Sequence, residues 1–319
     1  MSQEHNIKKI DILKKRAKML FLTREFFSKK NILEVDCNSL TKKPSLDAHI
    51  DVMQTNINDR EVGYLHTSPE YAMKRLLSIG IGDIYQLSHV YRKGEISDLH
   101  NPEFTMVEWY QYNISFDDFI DVTIEYINLF LSSKKTKKYT YREIIQKHAN
   151  IDYVNSSFDD LFSFLKENKI DIEVPQNQLD KDDLLALIMS YIVEPKMEKD
   201  TIYVVYNYPS TQAALSKLDT VDGIEIAKRF EVYYNHLELA NGYYELSEDK
   251  EQRTRFLQAN KKRSEMKKET YPIDEKFLNA LKAGIGDCCG VAVGFDRLLM
   301  LKYNKKTISE VLPFSWGEA

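Results

Sequence analysis

The sequence predicts an α+β fold, an antiparallel β-sheet flanked by helices. Two alternating segments joined by a long polar loop lie between Ile84 and Tyr110 and read as a hairpin. Further strand-like segments bunch around helical ones without the regular βαβ alternation that a parallel sheet requires. The chain has 319 residues, 43% hydrophobic and 29% charged, which suits a globular protein with a sizeable core.

Taken in order, residues 11–29 carry Leu13, Ala17, Leu20, Arg24 and Phe27 near one face, the spacing of an amphipathic helix. After Asn31, residues 32–40 alternate as a strand, and Pro44 and Asp47 mark a loop. Ser68 and Pro69 make a turn at the head of a helix, with proline early, where its missing N–H costs little. Residues 84–92 and 103–110 form the hairpin. The SSKKTKK run at 132–138 reads as solvated charge. Residues 139–200 are helical and irregular, clearest at 182–194, and read as an insertion within a single domain spanning 1–319. Strands return at 201–208 and 230–239. A lysine-rich helix at 256–269 then leads to a closing helix–strand–helix unit.

The first residues contain no apolar signal core, and no stretch approaches the roughly 20 apolar residues of a membrane span, so the expected location is the cytoplasm. Cys37, Cys288 and Cys289 are too few for a disulfide framework or zinc site and are expected to be small buried hydrophobes. A net charge of −5 counts against a large nucleic-acid surface.

In the hairpin, Phe104, Met106, Glu108 and Tyr110 share one face, and Ile84, Gln86, Ser88, Val90 and Arg92 share a face of the partner strand. Two readings are open: a ligand floor on which Phe104 stacks a base and Tyr110 bonds a polar group, or an amphipathic hairpin with one wet face. Arg92 and Arg297 come from separate elements, and two guanidinium forks suit a polyphosphate. Glu238 and Glu245 are seven apart, so an unbroken strand sends them to opposite faces. A turn or bulge at Asn241-Gly242 returns them to one side. Such a pair beside phosphate-binding arginines is a place for Mg²⁺; the alternative is two surface glutamates around a turn. Gly294 permits close approach of a nucleotide, and the helix after it, with Asp296, positions Arg297. No G-x-x-x-x-G-K-[ST] motif occurs, so ATP use does not run through a P-loop. His100 is placed for a phosphate contact, and His89 is structural.

The strings TSPEY (67–71), HNPEFTMVEWY (100–110), ELANGYYEL (238–246) and GVAVGFDRLLM (290–300) resemble, in identity and order, the class II aminoacyl-tRNA synthetases of the lysyl branch. With no anticodon-binding domain ahead of the first helix, the chain is most similar to the elongation factor P–(R)-β-lysine ligase family. That resemblance implies a class II catalytic domain that uses ATP and Mg²⁺ to activate (R)-β-lysine or lysine and passes it to a lysine of elongation factor P. It implies that Ser68, Pro69, Glu70, Tyr110, Glu245 and Ala292 line the amino-acid site. Arg92, Lys93, Gly94, Glu95, His100, Asn101, Phe104, Glu238, Leu239, Gly294 and Arg297 would bind ATP. Of these, Arg92 and Arg297 are catalytic, while Glu238 and Glu245 hold the metal. A homodimer is expected, and tRNA is not expected as a partner. The chain departs from the lysyl pattern at Gly94-Glu95, where glutamate normally follows the arginine by two, at Cys37-Asn38 in place of Thr-Pro, and at Ala292 in place of glycine. Two rival readings are a truncated tRNA-charging or small-molecule-forming paralogue and a catalytically silent regulatory one. Intact Arg92, Glu238, Glu245 and Arg297 argue against the silent one.

Overall fold

The computed structural model describes residues 3–172 and 174–319. Helix α1 (Gln3–Lys29) leads to β1 (Leu33–Glu34), β2 (Leu40–Thr41), β3 (Gln54–Asn58), β4 (Glu61–Leu65), α2 (Glu70–Leu77), β5 (Ile84–Tyr91), β6 (Glu103–Tyr112) and α3 (Phe116–Leu131). Then come β7 (Thr136–Thr140), α4 (Tyr141–Ala149), α5 (Phe158–Glu167), α6 (Lys181–Ile188), β8 (Ile202–Pro209), β9 (Leu218–Val221), β10 (Ile224–Tyr234) and β11 (Leu237–Tyr244). The last are α7 (Asp249–Glu265), α8 (Glu275–Ala283), β12 (Cys288–Gly294) and α9 (Phe295–Lys302). The chain divides into two compact units, one of residues up to Ser132 with Ser247–Ser264 and Glu269–Ala319, the other of Ser133–Leu246 with Glu265–Lys268.

In the first unit, β5 pairs antiparallel with β6 and β6 with β12, while β1 runs parallel to β5. One face of the hairpin is core. The Tyr85 ring stacks on Phe27 of α1 at 4.2 Å, and Trp109, opposite Tyr85, packs against Phe27, Phe119 and Tyr126. These rings are buried, so this aromatic layer fixes the hairpin against α1 and α3. The opposite face carries Gln86, Ser88, Met106 and Glu108, with Ala292 and Gly294 beside them on β12. A smaller antiparallel sheet orders β2–β4–β3.

In the second unit, β7 runs parallel to β8, and β10 pairs antiparallel with β8, β9 and β11. Helices α4, α5 and α6 bury Tyr141, Ile144, Leu161, Leu165, Leu184 and Ile188 against Tyr203, Val205 and Tyr208 of β8. Each of these helices starts on a reciprocal cap, Thr140 with Glu143, Ser157 with Asp160 and Asp180 with Asp183.

Several boundaries differ from expectation. The buried residues of α1 are Ile12, Arg16, Met19, Thr23, Phe26 and Phe27, so Phe27 lies where apolar spacing put it and the other buried positions lie one residue away from those expected. Arg16 is drawn inward by Asp296, and Thr23 by Tyr126, partners that a local pattern does not contain. Residues 32–40 are not one strand. The Gln86 side chain binds the Cys37 N–H and C=O at 2.8 and 3.2 Å and takes the place of ladder bonds. The strand expected at 230–239 is cut by a turn at Asn235 and His236, both at positive φ, between β10 and β11. The lysine-rich helix runs Asp249–Glu265, with Lys267 in a left-handed conformation after it. Part of the charge run is strand β7, where Lys137 pairs with Glu198, and lysines of this kind discourage further pairing at a sheet edge. The expectation left out α3, β3 and β4, although Ser115 caps α3 by accepting from the Asp118 N–H, a signal present in the sequence.

Candidate active site

In the first unit, Arg92 follows β5 where the loop begins. Its guanidinium lies 5.2 Å from the Phe104 ring centre, and one terminal nitrogen is 3.8 Å from Glu95. Its Nε is buried and has no hydrogen-bond partner. Phe104, expected to stack a base, thus also carries Arg92. Gly94 has φ +82°, a conformation glycine adopts without strain, so the fold itself calls for it. Gly294 differs. Its φ is −73°, and an added Cβ would meet only the Arg297 side chain, at 3.6 Å. The fold does not require glycine there, and the bare backbone leaves room above the sheet. Lys93 is exposed, with its N–H on the Asp51 carbonyl at 2.9 Å.

Arg297 projects from the first turn of α9 and donates to His100 Nε2 at 2.7 Å. Since arginine only donates, this His100 nitrogen accepts, and Nδ1 carries the proton toward Ser97 Oγ at 2.8 Å. Burial lowers the His100 pKa, and the Arg297 charge adds to this, as does Arg92, while Glu95 opposes. The ring is a neutral spacer between a loop and an arginine. Asn101 is buried, and its amide is engaged by Glu103 and Trp316. His89 is exposed and contacts Glu103 at 3.0 Å. Asp296 is a brace. It pairs with Arg16 and accepts from the Thr105 N–H at 2.7 Å, fixing α9 to β6 and α1.

The end of the site expected to take the amino acid contains a residue absent from the sequence-derived site. Glu108 is buried and accepts from Ser68 Oγ at 2.6 Å and from the Tyr110 hydroxyl at 2.7 Å. Burial, with the charge of Glu70 adding, pushes its pKa up to about 7, against the lowering effects of Ser68, Tyr110 and Lys74. Ser68 Oγ also accepts from the Glu70 N–H at 3.0 Å, and Pro69 stands at the N-cap of α2. Glu70 pairs with the fully buried Lys74 at 2.6 Å. Ala292 is the direct cross-strand partner of Glu108. The period-two reading already put Glu108 on the hairpin face read as either a ligand floor or a wet face. Its partners, from positions 68 and 110, were the missing signal.

In the second unit, Glu238 and Glu245 do share a face, but not through Asn241-Gly242, which lies inside β11. Val232 pairs with Ala240 and Tyr233 with Glu238, so Leu239 is an extra residue on β11. This bulge makes an odd spacing behave as an even one. Leu239 is buried, which leaves its backbone as the group able to touch a ligand. Asn241 lies on the same face, and its buried Oδ1 has no hydrogen-bond partner. Glu245 is buried, and its backbone is bracketed by residues 215–217 through the Leu246 N–H on Leu215 O and the Lys217 N–H on Tyr244 O. Two carboxylates and a spare amide oxygen on one face are hard oxygen donors, the set that Mg²⁺ prefers. Among the described residues, no group of three or more His, Cys, Asp or Glu side chains forms a self-contained metal cage. A neighbouring Glu231 is buried among Arg229, Tyr208 and Tyr233.

Residues 3–316 match the family described as tRNA synthetases class II (D, K and N), and the chain belongs to that family. Among its relatives, the elongation factor P–(R)-β-lysine ligase of Buchnera aphidicola (subsp. Acyrthosiphon pisum, strain APS) is 39% identical over 312 residues, 96% of this chain and 95% of the relative. The proteins of that name from Avibacterium paragallinarum and Edwardsiella ictaluri are 38% and 39% identical over 311 and 313 residues, with the same coverage. The resemblance to those ligases, read from four short strings, thus extends over nearly the whole chain. Among the described residues, no helix is long and apolar enough to cross a membrane.

Proposed function

We propose that the protein activates a lysine-like amino acid, (R)-β-lysine foremost, with ATP and transfers it to a lysine ε-amine of elongation factor P. The observation that carries this reading is Glu108, a buried carboxylate on β6, between β5, which leads into the Arg92 loop, and β12, which leads into the Arg297 helix. A carboxylate in that position suits an ammonium group, and the relatives' name supplies the acid and the acceptor. In the first step a substrate carboxylate oxygen attacks the α-phosphorus and the bond to the β-phosphate breaks. Pyrophosphate leaves and the adenylate remains. Arg92 and Arg297 stabilise charge on the α- and γ-phosphates, the preorganised electrostatic contribution that dominates such chemistry. In-line alignment makes a general base unnecessary for this step. Magnesium, which neutralises phosphate charge, would be held by Glu238 and Glu245, with Asn241 Oδ1 able to join. In the second step the acceptor amine attacks the carbonyl carbon, AMP leaves and the amine loses a proton. A homodimer in the cytoplasm belongs to the same reading.

A second reading is favoured by the family's own description, which names tRNA synthetases. One incubation separates the two: ATP, labelled lysine or β-lysine, and either elongation factor P or tRNA. The expected result is a single lysyl-sized adduct on one lysine of elongation factor P, stable to mild base and forming faster as pH rises toward the amine pKa. Label on tRNA as a base-labile ester, with elongation factor P unmodified, replaces the first reading with the second.

Ala292 is expected to tune the amine position, because its methyl stands beside Glu108. Ala292→Gly raises kcat/KM for α-lysine relative to β-lysine by about 10- to 200-fold, the range for one methyl in a pocket. An unchanged ratio would make Ala292 packing alone.

A further inference from the structure

Asn101 was expected to touch ATP, yet its amide is spent inside the protein. Nδ2 donates to the Glu103 carbonyl at 2.6 Å, and Oδ1 accepts from the Trp316 N–H at 2.9 Å. Trp316 lies in a tight turn, in which the Glu318 and Ala319 N–H groups donate to Ser315 O at 2.8 and 3.0 Å. The Glu318 carboxylate accepts from the Ser315 N–H at 3.1 Å and pairs with Lys9 of α1 at 3.0 Å. The Lys9 ammonium also lies 5.1 Å from the Phe314 ring centre. Upstream, the Ile308 N–H donates to the Asp98 carbonyl at 2.7 Å. The polar loop after β5 is thus held at two points by the segment after α9. The Trp316 side chain is 63% exposed, so its backbone N–H, and not the indole, makes the tie.

We propose that the turn at 315–319 is a latch that fixes residues 97–101 of the loop, with Asn101 as the positioning residue that joins latch to loop. The inference rests on the reading of this loop as the phosphate-binding element. Its physical basis is economy of contacts. Within residues 97–101 the loop's backbone bonds to itself are the mutual pair between Ser97 and His100, so its placement relative to β6 depends on side-chain and tail contacts. His100, which meets Arg297, lies immediately before Asn101. Loosening the latch therefore displaces the groups that face ATP without touching the sheet.

The test uses the full chain with Trp316→Pro and Trp316→Ala. Proline removes the N–H and suits the second position of a turn, whereas alanine removes the indole and keeps the N–H. Hydrogen–deuterium exchange of peptides covering residues 97–101, without ATP, should be roughly 2- to 12-fold faster in Trp316→Pro, the effect of one net hydrogen bond. Trp316→Ala should exchange like the parent. Unchanged exchange in Trp316→Pro, or equal acceleration in both variants, overturns the latch. KM for ATP should rise in Trp316→Pro with KM for the amino acid unchanged. Faster exchange with an unaltered KM for ATP leaves the latch standing and overturns the placement of ATP on this loop.

Discussion

Arg92→Ala and Arg297→Ala each lower amino-acid-dependent ATP–pyrophosphate exchange by at least ~10²-fold, the loss that follows removal of one preorganised transition-state donor. The two arginines are held differently, so controls separate chemistry from folding. Arg92 rests on the Phe104 ring and reaches Glu95 only at 3.8 Å, and its buried Nε has no partner in the protein. Its removal costs the fold little, and thermal unfolding should stay close to that of the parent. Arg92→Lys keeps a charge but loses the planar fork, and exchange should fall here too, because one ammonium does not reproduce two parallel N–H donors. Arg297 holds His100, and its loss has a second readout. With a repelling guanidinium gone, the His100 pKa moves up toward its ordinary range, visible by NMR titration. Exchange at parental level in both alanine variants would remove the adenylation reading.

Legibility in the sequence followed the range of each interaction. The β5–β6 hairpin and the β12–α9 unit were readable because period-two alternation and a glycine turn are local. Glu238 and Glu245 were rightly expected on one face, but the device was misplaced. Asn-Gly is the stronger local turn signal, whereas the Leu239 bulge exists only in the pairing of β11 with β10. Apart from Phe27, the α1 stripe was misread by one residue because Arg16 is buried by Asp296, 280 positions away, and burying a guanidinium makes sense only once that carboxylate is present. Arg263 shows the same limit. It is fully buried, donates to the Asp47 and Ile50 carbonyls and pairs with Asp51, yet in sequence it looks like one more residue of a basic helix. Glu108 was legible as a face residue and no more, since nothing local reveals that Ser68 and Tyr110 both point their hydroxyls at it.

Glu108→Gln should cost kcat/KM for the lysine-like substrate about 30- to several-thousand-fold, the range for truncating one partner of a buried charge pair. Glutamine keeps the shape and an acceptor oxygen for Tyr110 or Ser68, so this loss reports on charge, and a small change in thermal stability is expected beside it. The pH dependence gives an independent check. Burial raises the pKa to about 7, so in the free protein the carboxyl is protonated below neutrality, while an incoming ammonium favours the ionised form. The kcat/KM profile of the parent should therefore fall below about pH 7 with a slope of one proton, and the Glu108→Gln profile should lack that limb. Stability runs the opposite way. A carboxyl whose folded pKa lies above its unfolded value binds more protons in the folded state, so this group's contribution declines as pH rises from about 4.5 to about 7. The parent should lose stability relative to Glu108→Gln across that window, and the substrate amine should restore it. A parental pH profile with no limb near 7, together with unchanged kcat/KM in Glu108→Gln, would show that the buried carboxyl only braces Ser68 and Tyr110 and that the amine is recognised elsewhere.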